Sequence, residues 1–281
     1  MPELPEVETV RRTLNALVKG KQIEHVTVRL ARIIQRPDDI QAFAHLLAGH
    51  SIIDVQRRGK FLRIMLDGLV IVSHLRMEGR YGLYSSKDPL DKHTHVIFHF
   101  TDGSELRYND VRQFGTMHLF QEGEDLLLPP LNKLGSEPLD PSFTLERFKA
   151  IISGKSTKIK SLLLNQEYVV GIGNIYVDES LHRAGIHPED SAKSLHNDQL
   201  DKLYEAIVSI LTEAVNAGGS SVKSYVNGQG ESGTFQQQLL IYGRKDQPCT
   251  SCSTMIEKTV VGGRGTHFCP NCQVPSISSM Q

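Results

Sequence analysis

Apolar residues follow two rhythms along the 281-residue chain, one up to about residue 130 and another beyond it. Behind Pro5, the residues Val7, Val10, Leu14 and Leu17 recur at spacings of three and four, which predicts an amphipathic helix ended by Gly20. Ile40, Phe43, Leu46 and Leu47, closed by Gly49, predict a second helix. The rest of this stretch alternates. Val26-Val28-Leu30, Phe61 to Leu66, Leu69 to Leu75, Val96-Phe98-Phe100, Leu106-Tyr108 and Met117-Leu119 read as short strands. Asp67-Gly68 and Asp102-Gly103 punctuate them, the second as a hairpin turn. Strands at this spacing predict a two-sheet sandwich. Past Pro129-Pro130 the rhythm turns helical, over residues 144–152, 158–165, 175–184 and 197–216. Gly218-Gly219 ends the last helix and opens a Gly-, Ser- and Gln-rich stretch, 218–237, with no period; loops of that length are usually functional or disordered. From 239 the chain reads as strand again. No internal repeat or heptad is present.

All four cysteines lie in that last segment, as Cys249-x-x-Cys252 and Cys269-x-x-Cys272. Two such pairs with sixteen residues between them match a structural zinc site, because each turn offers two thiolates and four close a tetrahedral shell. Two disulfides or free thiols are the alternative. The acidic, Pro-rich start, Met1-Pro2-Glu3-Leu4-Pro5-Glu6, has the wrong chemistry for a signal or transit peptide, and no apolar run approaches ~18 residues. These features predict a cytoplasmic protein with no membrane partner, where disulfides are rare.

Total charge says little: 31 Lys and Arg stand against 32 Asp and Glu. Nucleic-acid binding would have to rest on local clusters. Arg57, Arg58, Lys60, Arg63, Arg76 and Arg80 form one, and Lys155, Lys158 and Lys160 another; the plain alternative is a solvated face.

Two further motifs carry chemistry. With Met1 removed, Pro2 has a free secondary amine; α-amino groups titrate at about 7.7–8.0, so part is neutral and nucleophilic near pH 7. Attack on an aldehyde-like carbon would give a charged iminium, with Glu3 placed to move protons and Glu6 one helical turn away. A helix that merely starts with Pro is the alternative. Gly171-Ile-Gly173-Asn174, between two short helices, can present N–H groups to an anion. Arg264 stands at the apex of a Gly-rich hairpin, Val260 to Phe268, where flanking glycines allow close approach to a phosphate.

Taken together, these motifs resemble bacterial formamidopyrimidine-DNA glycosylase over essentially the whole chain. The residues that carry the likeness are Pro2 to Thr9, Arg58-Gly59-Lys60, Ser73 to Gly79, Asp110-Val-Arg112-x-Phe114-Gly115, Gly171 to Glu179 and Gly263-Arg264-Gly-Thr-x-Phe-Cys269. The resemblance implies an α+β multidomain fold: an N-terminal β-sandwich flanked by helices (1–134), a helical helix–two-turn–helix region with a lesion-capping loop at 218–237 (135–237), and a C-terminal zinc-finger hairpin (238–281). It implies a monomer with one structural zinc, acting on damaged double-stranded DNA as a base-excision glycosylase and abasic-site lyase for oxidised purines.

By the same resemblance Pro2 attacks the sugar C1′, Glu3 donates the proton for base loss, and Lys60 and Arg264 donate protons for β- and δ-elimination. His74, His93, Arg112, Lys155 and Asn174 match DNA-contacting positions. Met77 and Phe114, with Arg112, fill the gap left by the flipped base. Ser220, Val222, Lys223, Ser224 and Tyr225 cap it. Asn165 stands where the family pattern leads one to expect Asp. Two alternatives remain: a relative of the endonuclease VIII type, for oxidised pyrimidines, and a non-catalytic zinc-ribbon DNA-binding module.

Overall fold

The computed structural model describes residues 1–220 and 233–276; the capping-loop positions Val222, Lys223, Ser224 and Tyr225 lie outside them. The chain divides into two compact units, residues 1–133 with 218–234 and residues 134–217 with 235–281.

The first unit is a sandwich. One sheet has the order β1 (Ile23–Val28), β7 (Thr94–Phe100), β8 (Ser104–Asn109), β6 (Arg80–Ser85). The other has β2 (Ile34–Arg36), β9 (Thr116–Gln121), β5 (Leu69–His74), β4 (Phe61–Leu66), β3 (Ile52–Arg58). Alternating residues of both sheets form one core with the apolar stripe of α1 (Leu4–Val18) and with Phe43 and Leu47 of α2 (Ile40–Leu47). Strand β1 starts earlier than its alternation suggests, and Leu30 lies beyond it, before a short 3₁₀ turn. Alternation alone does not reveal β3 or β6. A register shift between Ile52 and Asp54 breaks the period of β3. In β6 Tyr81 and Leu83 face the core, and Gly82 lies on the other face beneath the Tyr84 ring, where a Cβ would lie 2.7 Å from it.

The second unit holds α3 (Leu145–Ile152), α4 (Ile159–Leu164), α5 (Asn174–Ala184), α6 (Asn197–Asn216) and a hairpin of β10 (Glu257–Val261) and β11 (Arg264–Phe268). Helix α5 ends on Gly185 in the left-handed region (φ 68°), a position that favours Gly, and packs on α4, α6 and β11. The expected strand does not begin at 239; apart from a single bridge between Pro248 and Met255, the first strand is β10, from Glu257. The reason is a buried carboxylate. Glu179 accepts the amides of Leu240 (3.0 Å), Ile241 (3.0 Å) and Tyr242 (2.9 Å), so those donors have no need of a neighbouring strand. Among the described residues no helix is long and apolar enough to cross a membrane.

Candidate active site and nucleic-acid contacts

The N-terminus is placed by how α1 lies on β3. Gly20 N–H donates to Ile52 O (2.7 Å), Val55 N–H donates to Asn15 Oδ1 (2.9 Å), and Arg57 Nε donates to Glu8 Oε2 (3.2 Å). As the helix runs back to its start, its partners climb β3 towards the two-residue Gly59-Lys60 turn into β4. Pro2 and Glu3 therefore come to the end of the sandwich that carries Lys60, and all three are buried. Burial pushes the Glu8 carboxyl up, but hydrogen bonds and charge from Arg11, Arg12 and Arg57 prevail and hold it below its ordinary value.

Glu6 has a role beyond its spacing. Its Oε2 accepts the Glu3 amide at 2.8 Å and its Oε1 accepts the Ser220 amide at 2.7 Å. Gly219 (φ +80°) comes so close that a Cβ would lie 2.8 Å from that oxygen. One buried carboxylate thus joins the helix start to the stem of the 218–237 loop. The sequence placed Glu6 near Glu3 and had no signal for Ser220, 214 residues away.

The other DNA-contact candidates of this unit gather at the same end. His74 pairs with Phe61, next to Lys60, on one side and with Thr116 on the other. Burial, then the charges of Arg76 and Lys60, push its pKa down to about 3. Its Nδ1 accepts the Arg76 amide (2.9 Å), which leaves the proton on Nε2 as a donor. Met77 and Phe114 project on neighbouring loops, 42% and 52% exposed.

Both loops rest on Tyr108. A Cβ on Gly79 would lie 2.2 Å, and one on Gly115 1.7 Å, from its hydroxyl. Buried Asp110 accepts the amides of Arg112 (3.1 Å), Phe114 (2.9 Å) and Gly115 (2.8 Å). The Arg112 guanidinium stacks 5.0 Å over the Phe114 ring. His93 is half-buried, its amide tied to Asp91 and its carbonyl to Asp110. Asp110 stood in the sequence motif without a role, and Tyr108 was legible only as a strand residue.

The basic clusters are less free than a charge count implies. Arg57 bonds Glu8 and the Gly59 carbonyl, and Arg63 bonds Asp125 (2.5 Å) and Gln56 (2.8 Å). Of the cationic side chains at 57–80, Arg76 and Arg80 are the two that stand exposed. In the second cluster Lys158 pairs with Glu189, and Lys160 is buried against Asp178 at 2.6 Å. Lys155 lies 4.7 Å over the Tyr168 ring. The expected phosphate-facing run at 155–160 is thereby corrected: two of its three cations are neutralised by carboxylates that the fold brings from elsewhere.

The Gly-rich turn lies between α4 and α5. Gln166 braces it, donating to Leu164 O (2.9 Å) and Ile172 O (3.0 Å) and accepting the Gly171 amide (2.9 Å). Asn165 accepts the Glu167 amide (2.9 Å), a local turn that an Asp could form equally well. Asn174 starts α5, and its Nδ2 donates to Gly265 O at 2.8 Å, one residue after the exposed Arg264.

None of the four cysteines is in a disulfide, and their Sγ atoms lie within 4.8 Å of one another. Cys249–Cys272 and Cys252–Cys269 are separated by 3.9 and 3.4 Å. A tetrahedral shell with Zn–S of about 2.3 Å has edges of about 3.8 Å, whereas a disulfide needs about 2.05 Å. The set therefore fits one structural zinc and not two bridges. His182 Nε2, 3.6 Å from Cys249 Sγ, is placed to donate to that thiolate.

Three family models match along the chain: the formamidopyrimidine-DNA glycosylase N-terminal domain over residues 1–117, its H2TH domain over 134–226, and a zinc finger found in FPG and IleRS over 246–274. The formamidopyrimidine-DNA glycosylase of Brevibacillus brevis is 64% identical over 97% of this chain and 99% of its own, and that of Bacillus subtilis is 56% identical over the same shares. A crystal structure of a mutant of the Lactococcus lactis enzyme, in complex with Fapy-dG-containing DNA, superposes with a TM-score of 0.90 at 39% identity, covering 97% of this chain and 100% of that one. With its α1 start, its paired CxxC motifs and its helix–turn–helix all in the family's order, the chain belongs to the formamidopyrimidine-DNA glycosylases.

Proposed function

We propose that this chain excises oxidised purines from duplex DNA in base-excision repair and cleaves the abasic site left behind. The observation that carries the reading is the convergence of Pro2, Glu3 and Lys60, all buried, at the end of the sandwich that also presents His74, Met77 and Phe114. Once Met1 is removed, the Pro2 nitrogen attacks C1′ and the bond from C1′ to the base breaks. Glu3 supplies the proton with which the base leaves; the sugar ring then opens, the C1′–O4′ bond breaking as O4′ takes up the proton that the Pro2 nitrogen gives up, and an iminium remains between that nitrogen and C1′. β-elimination then removes a proton from C2′ and breaks the bond from C3′ to the 3′ phosphate, to which Lys60 donates a proton; δ-elimination removes one from C4′ and breaks the bond from C5′ to the 5′ phosphate, to which Arg264 donates. Neutral His74 offers Nε2–H to a phosphate oxygen at any pH above about 4, because its pKa is about 3.

Flipping a base out costs a few kcal/mol of stacking, and apolar Met77 and Phe114 offset part of that by entering the gap. Arg112, held against Phe114, joins them there. Lys155, Asn174 and Arg264 hold the backbone, and His93 adds a contact from the sandwich. The stretch that follows Ser220, whose amide is held by Glu6, is assigned to contact the extruded base. We assign base excision and β-elimination to residues 1–134, backbone contacts and base capping to the helical region 135–237, and phosphate grip with the δ-elimination donor to the zinc finger, 238–281. The protein works as a monomer in the cytoplasm.

The test is borohydride trapping on duplexes that carry 8-oxoguanine or thymine glycol. Trapping on 8-oxoguanine, lost when a residue is added before Pro2 and partly kept in Pro2→Gly, is the expected result. Faster trapping on thymine glycol would reassign the chain to oxidised pyrimidines. Tight binding with no trapping would leave only a zinc-ribbon binding protein.

A further inference from the structure

Arg264 is the first residue after a two-residue turn, paired with Val261 across the hairpin, and its side chain is exposed. A two-stranded hairpin is marginal by itself. The cysteine cluster secures the end of this one that leads to Cys269 and leaves the tip to other contacts. Three of these lie within five residues of Arg264. Gly262 (φ +56°) presses on α4, where a Cβ would lie 2.5 Å from Ser161 Oγ. The Gly265 carbonyl accepts from Lys160 Nζ (3.2 Å) and from Asn174 Nδ2 (2.8 Å). The His267 amide donates to Asp178 Oδ2 (2.9 Å). The other Asp178 oxygen meets Lys160 Nζ at 2.6 Å, and both side chains are 0% exposed.

Stability alone does not account for this pair. Apolar residues of similar volume hold a core as well as a buried ion pair does, since desolvation cancels most of the attraction. What apolar contact lacks is direction. Lys160 and Asp178 aim at one carbonyl and one amide, on the two residues that flank Thr266, so they fix the hairpin along its strand as well as against the helices. A slip of one residue would turn Arg264 to the opposite face.

We propose that Lys160 and Asp178 are positioning residues for Arg264: their buried pair sets where its guanidinium stands. This rests on reading Arg264 as the DNA contact and δ-elimination donor. Neither residue reaches the sugar in this scheme, so base excision and the Pro2 adduct are independent of them.

The experiment uses full-length, zinc-replete Lys160→Met/Asp178→Leu, alone and combined with Arg264→Ala. Zinc content, borohydride trapping, the δ-to-β product ratio and affinity for a duplex with a stable abasic analogue are measured. Zinc and trapping should match the parent. The δ-to-β ratio should fall to that of Arg264→Ala, and affinity should drop about tenfold, the scale of one charged hydrogen bond. In the Arg264→Ala background the same double change should do nothing further. A parental ratio in the zinc-replete variant overturns the proposal. So does an equal loss in both backgrounds, which would mean general loosening. If Arg264→Ala alone leaves ratio and affinity untouched, the reading of Arg264 falls and takes this proposal with it. Should the double variant lose zinc, Asp178→Asn keeps the volume and an acceptor for the His267 amide. It should shift the ratio in the same direction, by less, and an unchanged ratio there is equally fatal.

Discussion

Phe114, on a loop, and Arg264, the first residue after a hairpin turn, are both exposed side chains, one in each unit, and the protein holds them by different physics. The Phe114 loop sits on a sandwich core drawn from both sheets and two helices. It is registered by shape, with the Tyr108 hydroxyl wedged against Gly79 and Gly115, and by one carboxylate that takes three loop amides. The Arg264 hairpin belongs to a finger whose buried cluster is Ile241, Ile256, Cys249 and Cys269, half of it cysteine. So small a core cannot order its own chain, and it needs cross-links. Thiolates for a metal at one end and an ion pair at the other do that work. The contrast teaches that a large core positions a side chain by fit, whereas a small one must use directed bonds.

The comparison breaks most visibly at the metal. Structural zinc binding is worth about 10–16 kcal/mol, so chelation or Cys249→Ala should unfold the finger and remove most duplex affinity while the sandwich stays folded. Atomic absorption and binding to an abasic-analogue duplex check this. A zinc-free protein that binds as tightly as before would remove the finger from the DNA site.

Next in size is the chemistry that the sandwich holds. Glu3→Gln should cost roughly 10²–10⁴ in base excision, the usual worth of a positioned proton donor, and spare strand cleavage at preformed abasic sites. Single-turnover rates on the two substrates separate the outcomes, and an equal loss of both would give Glu3 a general role.

Shape fit is tested by Gly115→Ala. Its Cβ would fall 1.7 Å from the Tyr108 hydroxyl, and overpacking of this kind costs about 1–3 kcal/mol. Urea unfolding should show the loss with zinc content unchanged. If zinc is also released, the two regions are not built independently.

The smallest effect concerns His74. Its folded pKa of about 3 lies below the ordinary 6.5, so the unfolded chain binds a proton that the folded one refuses. This contribution to stability is present above about pH 6.5 and is lost as pH falls towards 3, at about 1.4 kcal/mol per unit. His74→Gln keeps a donor without titrating. Between pH 7 and 5 it should lose about 2 kcal/mol less stability than the parent in urea titrations. Parallel curves would mean that His74 takes up a proton in the folded state.

What the sequence determined by itself is what short spacing encodes. The stripe of α1, the apolar runs of β4, β5 and β7, the Gly218-Gly219 stop and the two CxxC turns are legible because each depends on residues a few positions apart. The motifs around Pro2, Lys60, Phe114 and Arg264 were equally local and marked the candidate site. Only the tertiary structure decided which charges are spent inside the protein. Lys160 looked like a phosphate ligand until Asp178 was seen against it, and Arg57 and Arg63 likewise until Glu8 and Asp125 were. It also decided that Glu6 reaches Ser220, that Tyr108 carries two loops, and that Glu179 replaces the strand expected at 239. The physical reason is common to all of these. A side chain's charge or hydroxyl is written in the sequence, but its partner is chosen by burial, where any polar group without one is expensive, and burial is settled only when distant segments pack.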